Sequence, residues 1–248
     1  MNPVVSVVMP LHNSSDFMGE GVESVLRQSF ADLELILVDD CSGDDSLARA
    51  REFAARDERI VVVAMPENGG GGASRNAGIA RARGRYVAFL DADDLWEPDK
   101  LKIQLDEMEN KNAAFSYTDY AVFSDDGKSE KIRRTPDKVA YKELLKNTVI
   151  GCSTVVYDRK LLGDRYFPLI RKRQDFALWL SILRDVDFAY RCGPALTRHR
   201  RRAGSVSANK LKAAMFTWKV YRELEALPLL PSAYYFLHYA FAATRKRL

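Results

Sequence analysis

Three units of a strand followed by a helix occupy roughly the first ninety residues, and this alternation constrains the fold more than any other feature. Short runs rich in valine, isoleucine and leucine predict strands at residues 4–9, 33–38 and 60–64, and helices are predicted at about residues 17–28 and 45–56. Strands that alternate with helices in this way form a mostly parallel sheet covered by helices. The sequence therefore predicts an α/β architecture of the nucleotide-binding kind.

A fourth apolar run, at residues 86–90, is followed directly by an acidic cluster. If strand geometry persists, Asp91 and Asp93 point to the same side and the small Ala92 leaves the gap between them open. Two carboxylates this close resist joint ionisation unless a cation joins them. Paired carboxylate oxygens suit Mg²⁺ or Mn²⁺ completed by water and substrate phosphates. The cluster therefore predicts a site for a nucleotide diphosphate with its metal.

On these residues alone a second interpretation stays open, in which the cluster is a solvated turn with a helix cap at Asp94 and Pro98 opens the helix. The other strand ends favour a binding site. Residues 10–13 and the pair Asp39 and Asp40 also follow predicted strands. In parallel sheets ligands bind beyond the carboxyl ends of the strands. We therefore expect these segments to converge on one crevice.

A glycine-rich loop at residues 67–72 leads into a helix predicted from about residue 73 to 82. The amides at the start of such a helix can hold phosphate, with Arg75 one turn in. The loop is neither a Walker loop nor a dinucleotide fingerprint, because the Lys-Ser/Thr ending is missing and the glycine spacing differs. A flexible connection is the alternative for this segment.

Composition excludes several classes of protein. The three cysteines lie far apart without a Cys-x-x-Cys pair, so neither a disulfide framework nor a zinc site is supported and a reducing cytoplasm is expected. No secretory signal peptide is predicted. Basic clusters at residues 171–173, 198–202 and 245–247 attract anions or form solvated faces. No nucleic-acid-binding motif accompanies them, so nucleic acid is not an expected partner.

The second half of the chain is less regular, with strands predicted at residues 113–118 and 149–157. We expect one continuous domain with a divergent second half, followed by two C-terminal helices. The last helix, starting near Pro231, is crowded with aromatic residues. Its apolar stretch of about 12 residues is shorter than the roughly 20 that a membrane span needs. It is expected either to lie in a membrane interface or to cap the core.

Taken together, these segments resemble the family 2 glycosyltransferases of the GT-A fold, and more closely the bacterial enzymes of teichuronic-acid, O-antigen and capsule synthesis. The resemblance implies an α/β, Rossmann-like fold with a mixed, mostly parallel central sheet and C-terminal helices. It also implies a transferase domain at residues 1–208, divided into a nucleotide-sugar-binding half (1–110) and an acceptor-binding half (111–208), and a helical tail at 209–248. The matching segments are residues 5–13, 38–45, 73–78, 89–94, 150–155 and 170–180.

The resemblance also assigns roles to individual residues. It places Asp39 or Asp40 on the base, Arg75 near the uridine or pyrophosphate, and Asp175 as the catalytic base. The metal, Mn²⁺ or Mg²⁺, is assigned to Asp93 together with Asp91, which also approaches the ribose. The other residues expected to contact the nucleotide sugar are Pro10, His12, Asn13 and Ala92.

Two departures from the family pattern change these assignments. Where the family often has Tyr-Arg-x-His, this chain has His199, Arg200 and, in place of the metal-binding histidine, Arg202. Arginine does not ligate a metal, so Arg200 and Arg202 are expected to hold diphosphate oxygens, and His199 is expected to serve packing. Gln174 replaces a glutamate that often precedes the base, and this leaves the role of Asp175 intact.

The resemblance implies an inverting, metal-dependent transfer of a sugar from a UDP-sugar to a hydroxyl of a lipid-linked, polyprenyl-diphosphate saccharide. The enzyme is expected at the cytoplasmic face of the membrane, with the C-terminal tail against the anionic surface. The alternative is a non-catalytic nucleotide-sugar-binding assembly subunit. A sugar nucleotidyltransferase is disfavoured, because its phosphate loop would follow the first strand, where this chain has Leu11, His12 and Asn13.

Overall fold

The computed structural model describes residues 2–124, 130–201 and 210–245. In the first half, strands and helices alternate as predicted, because each apolar run is long enough for one buried strand and is bounded by polar residues. The elements are β1 (Val5–Leu11), α1 (Met18–Leu26), β2 (Leu33–Asp39), α2 (Ser46–Arg56), β3 (Ile60–Ala64), α3 (Gly70–Arg81) and β4 (Tyr86–Phe89).

The second half is less regular and contains one long strand that the sequence did not predict, β10. The predicted strand at 149–157 is wrong in its first part, where a 3₁₀ turn (Cys152–Thr154) precedes the short β9. The elements are β5 (Leu95–Trp96), α4 (Lys100–Asn110), β6 (Phe115–Ser124), β7 (Glu130–Arg133), β8 (Lys138–Val139), α5 (Tyr141–Lys146), β9 (Val156–Asp158), α6 (Arg159–Leu162), α7 (Gln174–Ile182), β10 (Ala189–Arg201), α8 (Lys210–Lys219) with a π-helical turn (Val220–Leu224), and α9 (Leu229–Arg245).

The strands of the described residues form one mixed sheet in the order β3-β2-β1-β4-β9-β6-β10-β5, with β7 paired to β6 and β8 to β10. Most paired residues lie in parallel ladders, namely β2 with β3 and β1, β1 with β4, and β6 with β10. The antiparallel β9 joins the two parallel parts. Since β1, β2 and β4 run in the same direction, their carboxyl ends lie at one edge of the sheet.

Helices cover both faces of the sheet, because alternate side chains of β1 are buried on opposite faces. Val7 and Met9 belong to one buried cluster, and Val8 belongs to the cluster on the opposite face. Helix α3 packs very closely there, since a Cβ added at Gly78 would lie 2.4 Å from Cγ1 of Val8. This contact places the start of α3 above the ends of β1 and β4.

The C-terminal helices pack on the same face as α7. Tyr221 and Tyr239 are buried, and Tyr235 and Phe236 of α9 lie against the core. In the parts of the chain that the structure describes, no helix has both the length and the apolar composition needed to cross a membrane.

Candidate active site

A cavity of about 540 Å³ lies at the edge of the sheet where β1, β2 and β4 end. It brings together most of the residues that the sequence predicts for the nucleotide sugar: Pro10, His12, Asp40, Arg75, Asp91, Ala92, Asp93 and Arg200. Of the other predicted residues, Asn13 and Asp39 adjoin this edge without lining the cavity, and Arg202 lies outside the described residues.

A second cavity of about 690 Å³ holds the predicted base, Asp175. The two cavities share Gly71, Arg75 and Asp91 as a common wall. Asp93 therefore lines the first cavity and Asp175 the second, and a ligand held at Arg75 and Asp91 would contact both cavities.

The turn that follows β4 does not continue the strand, so the expected strand alternation of Asp91 and Asp93 is wrong. Strand β4 ends at Phe89, and the amide of Asp94 donates to the carbonyl of Asp91 (2.9 Å), which closes a turn. Both carboxylates still line the first cavity because the turn folds toward it. The local hydrogen bond competes with the strand once the sheet partners of β4 run out.

Asp91 forms an ion pair with the guanidinium of Arg75 in the common wall. Arg75 also donates to the carbonyl of Gly71 (3.1 Å), and its guanidinium lies 5.4 Å from the centre of the Phe167 ring. These contacts hold a largely buried cation between the two chambers. A charge-assisted donor at this position suits a phosphate oxygen of a bound nucleotide.

The donor set fits a hard divalent cation only in combination with a substrate. Among the described residues no group of three or more His, Cys, Asp or Glu side chains is arranged to hold a metal. Mg²⁺ and Mn²⁺ suit sites with one or two carboxylates completed by substrate phosphates and water, and Asp91 and Asp93 supply such a pair. The nearby Cys152 is not suited as a ligand, because burial raises the pKa of its thiol well above the ordinary value.

The sequence suggests a helix cap at Asp94, and the structure shows a different role for this residue. It does not cap α4, which starts at Lys100 after Asp99. It is 4% exposed and accepts hydrogen bonds from Oγ of Ser153 (2.7 Å), Nδ1 of His199 (2.7 Å) and the amide of Arg200 (3.1 Å). Asp94 therefore ties the turn after β4 to β10 and to the 3₁₀ turn.

His199 was expected to serve packing alone, and its hydrogen bond to Asp94 was not predicted. It does pack, edge-on, against Tyr120 with ring centres 4.7 Å apart. Burial alone would lower the pKa of His199, but the charge and hydrogen bond of Asp94, with Asp91 and Asp93 nearby, raise it above 6.5. The buried carboxylate of Asp94 thus favours the charged form of the imidazole.

Asp40 caps helix α3 across a long sequence separation. Its two carboxylate oxygens accept from the amides of Gly69 and Gly70, each at 2.8 Å. Because this cap satisfies the first amides, the helix begins at Gly70, earlier than the predicted residue 73. Those two amides are therefore bound to Asp40 and are not available to a phosphate.

Asp39 is also buried, at 2% exposed, but only one of its oxygens has a partner, the amide of Ser42 at 3.2 Å. The other oxygen accepts no hydrogen bond from the described residues. Asn13, with φ of 49°, links the loops after β1 and β2, since it accepts from the amide of Gly43 (2.8 Å). Of the two aspartates at the end of β2, Asp39 is the one with an acceptor left for a ligand.

Asp175 lies in the first turn of α7, and the residues that follow it are buried in the core. Trp179 anchors this turn against Phe89 and Phe115, with ring centres 6.0 and 5.3 Å away. The Asp175 carboxylate is not the cap of α7, and it accepts no side-chain hydrogen bond from the part of the chain that the structure describes. A rigid helix start thus presents this carboxylate to the second cavity.

Arg200 is held in place from several sides. Its Nε donates to the carbonyl of Asp93 (3.0 Å), and its Nη2 pairs with Glu20 (2.9 Å). The guanidinium also lies 4.8 Å from the centre of the Phe123 ring. Arg200 therefore supports the turn that carries Asp93 and lines the first cavity at the same time.

Comparison with known proteins gives a consistent picture. A family model described as glycosyl transferase family 2 matches residues 6–166. The chain is 44% identical over 247 residues to the putative teichuronic acid biosynthesis glycosyltransferase TuaG of Bacillus subtilis, covering 99% of this chain and 98% of that protein. It is 36% identical to the Escherichia coli UDP-Glc:alpha-D-GlcNAc-diphosphoundecaprenol beta-1,3-glucosyltransferase WfgD, covering 98% of this chain and 94% of WfgD.

Two solved structures have the same fold at low sequence identity. S. aureus TarS 1–349 in complex with UDP-GlcNAc aligns with a TM-score of 0.68 at 21% identity, covering 90% of this chain and 67% of TarS. The mannosyltransferase PcManGT of Pyrobaculum calidifontis, in complex with GDP-Man and Mn²⁺, aligns with a TM-score of 0.72 at 18% identity. The alignment covers 96% of this chain and 69% of PcManGT. These neighbours confirm the predicted GT-A fold.

Proposed function

The chain belongs to glycosyl transferase family 2, and from this premise we propose that it moves a sugar from a UDP-sugar to a hydroxyl of a polyprenyl-diphosphate-linked saccharide, with inversion, in the synthesis of a bacterial surface polysaccharide. One observation carries the proposal. The cavity with Asp93 and the cavity with Asp175 share the wall formed by Gly71, Arg75 and Asp91. A donor in the first cavity would present its sugar to an acceptor in the second.

The donor half of the proposal assigns the nucleotide to the first cavity. The unpaired oxygen of Asp39 suits an N–H of the uracil ring, because a buried acceptor without a partner is costly unless a ligand supplies the donor. Pro10, His12 and Asn13 are proposed to border the base and ribose, and Arg75 the diphosphate. TarS binds UDP-GlcNAc in its solved structure and WfgD is named for transfer from UDP-Glc, which supports uridine as the nucleotide.

The metal in this proposal is Mn²⁺ or Mg²⁺, held by Asp93 with Asp91. When bound, it supplies positive charge that stabilises the diphosphate of the departing nucleotide. The chain's own contribution is to orient this site: Arg200 and the Asp94 network hold the turn that carries both carboxylates. Arg75 adds a fixed cation on the acceptor side of the same diphosphate.

In the acceptor half, Asp175 is proposed to take the proton from the attacking hydroxyl. The oxygen then forms its bond to the anomeric carbon as the bond to the diphosphate oxygen breaks, so the configuration inverts. The location of Asp175 supports this role, since its carboxylate faces the second cavity, opposite the chamber that holds Asp93. A positioned general base of this kind contributes about 10²–10⁴-fold to the rate.

We also place the enzyme at the cytoplasmic face of the membrane, with α9 of the C-terminal tail (209–248) in the interface. One face of α9 packs on the core, and the opposite face exposes Leu230, Tyr234, Leu237 and Phe241 at helical spacing. Nζ of Lys146 lies 5.5 Å from the centre of the Tyr234 ring, and basic residues 245–247 follow the apolar face in sequence. Apolar and basic residues combined in this way favour binding to anionic lipid.

The test is a UDP-release assay with a synthetic polyprenyl-diphosphate N-acetylglucosamine and a series of UDP-sugars beginning with UDP-glucose, in the presence of Mn²⁺. Asp175→Asn should lower turnover by about 10²–10⁴-fold with donor affinity little changed, because asparagine keeps the size and loses the basicity. Asp185→Asn, which removes a half-exposed carboxylate beyond the end of α7 that pairs with Arg165, is the matched control. Near-normal turnover by Asp175→Asn would show that the base lies elsewhere.

A further inference from the structure

A run of three basic residues borders the second cavity immediately before the proposed base. We call Arg171, Lys172 and Arg173 the basic loop, and all three line this cavity together with Asp175. Four residues of chain span at most about 14 Å, so the loop lies within that distance of the base. A ligand group close to the reacting hydroxyl would therefore meet these cations.

The charges that line this cavity are not balanced. Arg75 and Asp91 form an ion pair in the common wall, and the other charged residues that line the cavity are the three cations of the basic loop and the carboxylate of Asp175. Arg171 is exposed and forms no ion pair within the described parts of the chain. A cavity with this excess of positive charge favours an anionic ligand.

The backbone holds the loop in an unusual conformation. Arg173 has φ of 65°, in the left-handed region that non-glycine residues rarely occupy, and it directly precedes α7. Its guanidinium donates to the hydroxyl of Tyr239 and lies 5.3 Å from the centre of that ring, which ties the loop to α9. Its buried Nε has no hydrogen-bond partner among the described residues. Backbone strain that tertiary contacts maintain in this way occurs most often at ligand sites.

We propose that the basic loop binds the diphosphate of the lipid-linked acceptor, an inference that rests on the proposed function. The donor diphosphate is assigned to the first cavity, with Asp93, so the excess charge in the second cavity calls for another anion. In a saccharide attached directly to a lipid diphosphate, one sugar ring separates the reacting hydroxyl from that diphosphate. Asp175 would hold the hydroxyl while Arg171 and Lys172 bind the phosphates.

The apolar residues of the same cavity fit the remainder of this ligand. Leu169 and Ile170 precede the basic loop and line the cavity, and Leu169 is 76% exposed. They suit the first isoprene units beyond the diphosphate. The link from Arg173 to Tyr239 joins the loop to α9, whose opposite face carries the apolar residues assigned to the membrane.

The experiment measures acceptor binding by calorimetry with UDP and Mn²⁺ at saturation, so that the donor phosphate site is occupied. The two probes are an N-acetylglucosamine α-diphosphate with a short alkyl chain and the neutral alkyl α-glycoside with the same chain. The double variant Arg171→Gln/Lys172→Gln should weaken binding of the diphosphate probe by about 10-fold per cation removed, because charge-assisted hydrogen bonds are lost. Binding of the neutral probe should not change.

The control is Arg56→Gln/Arg81→Gln, which removes two exposed arginines from the ends of α2 and α3 and should bind the diphosphate probe as the wild type does. Arg173 is left intact because it supports the loop conformation. A wild type that binds both probes equally would overturn the inference while leaving the transferase function standing. Failure of the wild type to bind UDP with Mn²⁺ would overturn the proposed function itself.

A final arm separates acceptor diphosphate from lipid headgroups, which share the same phosphate chemistry. Vesicles of phosphatidylglycerol without acceptor are floated with the wild type and with the double variant. A double variant that loses vesicle binding but keeps its affinity for the diphosphate probe would overturn the inference in favour of a headgroup site. Loss of probe affinity with retained vesicle binding supports it.

Discussion

Replacing Asp94 by asparagine should destabilise the fold, whereas the same change at Asp93 should affect the proposed metal site. The two residues are adjacent in sequence and chemically identical, but Asp94 is buried, with Ser153, His199 and the amide of Arg200 as donors, whereas Asp93 is partly exposed. Asparagine keeps one acceptor oxygen and replaces the other with an amide that can only donate. In either orientation of the amide, at least one buried donor loses its acceptor.

The size of the effect follows from this loss. An unsatisfied buried donor costs about 1–3 kcal/mol, and breaking a buried charge pair costs about 3–5 kcal/mol. We take about 3 kcal/mol for Asp94→Asn, because the retained oxygen keeps part of the network. In a chain of this length 1 kcal/mol shifts the melting temperature by about 2–4 °C, so a fall of about 6–12 °C is expected.

The assay is thermal unfolding followed by circular dichroism in EDTA, paired with calorimetric titration of UDP in Mn²⁺. Asp93→Asn should melt within about 2 °C of the wild type but lose about 10-fold or more in Mn²⁺-dependent UDP affinity, as expected when a charged metal ligand is removed. If Asp94→Asn melts like the wild type and loses UDP affinity as Asp93→Asn does, Asp94 belongs to the metal site and the reasoning is refuted.

The same experiment has a pH dependence with a definite sign. The pKa of His199 is raised in the folded protein by Asp94, so its contribution to the free energy of unfolding is fully present below the unfolded pKa of about 6.5. That contribution is lost as the pH rises through the folded pKa. The difference in melting temperature between wild type and Asp94→Asn should therefore become smaller as the pH rises. An increase of this difference with pH would contradict the ion pair between Asp94 and His199.

Two further predictions concern packing and membrane binding. Gly78→Ala would place Cβ 2.4 Å from Cγ1 of Val8 and should cost about 1–3 kcal/mol, measured as a lower melting temperature, whereas Gly43→Ala, with its nearest atom at 3.8 Å, should be close to neutral. Leu237→Ser/Phe241→Ser removes side chains that are 71% and 68% exposed, so it should preserve folding and reduce flotation with anionic vesicles, with neutral vesicles as the control. Unchanged flotation of this variant would argue against α9 as the membrane contact.

The first half of the fold could be predicted from the sequence because its signals are local. Each strand from β1 to β4 is a mostly apolar run, interrupted within β1 and β2 by Ser6 and Glu34, and burial on both faces of a parallel sheet favours such a run. Parallel strands in turn bring their carboxyl ends to one edge, so the meeting of residues after β1, β2 and β4 in one cavity follows without knowledge of side-chain contacts. The family resemblance added the expected roles of these residues, which the proposed experiments test.

Strand β10 could not be predicted because its last part is polar and strongly basic, with Arg198, Arg200 and Arg201. It forms because β6 offers a parallel edge over many residues, and a tertiary pairing of this kind overrides weak local preference. Likewise, α3 begins at Gly70 because Asp40 caps it from 30 residues away in sequence.

The sequence by itself determined the order of the strands and helices in the first half and the identity of the acids after β4. Only the tertiary structure decided what each acid does. Asp94 differs from Asp93 because its partners Ser153 and His199 lie 59 and 105 residues away in sequence. The role of a polar side chain depends on burial and on donors brought by distant segments, and neither of these is encoded in the residues beside it.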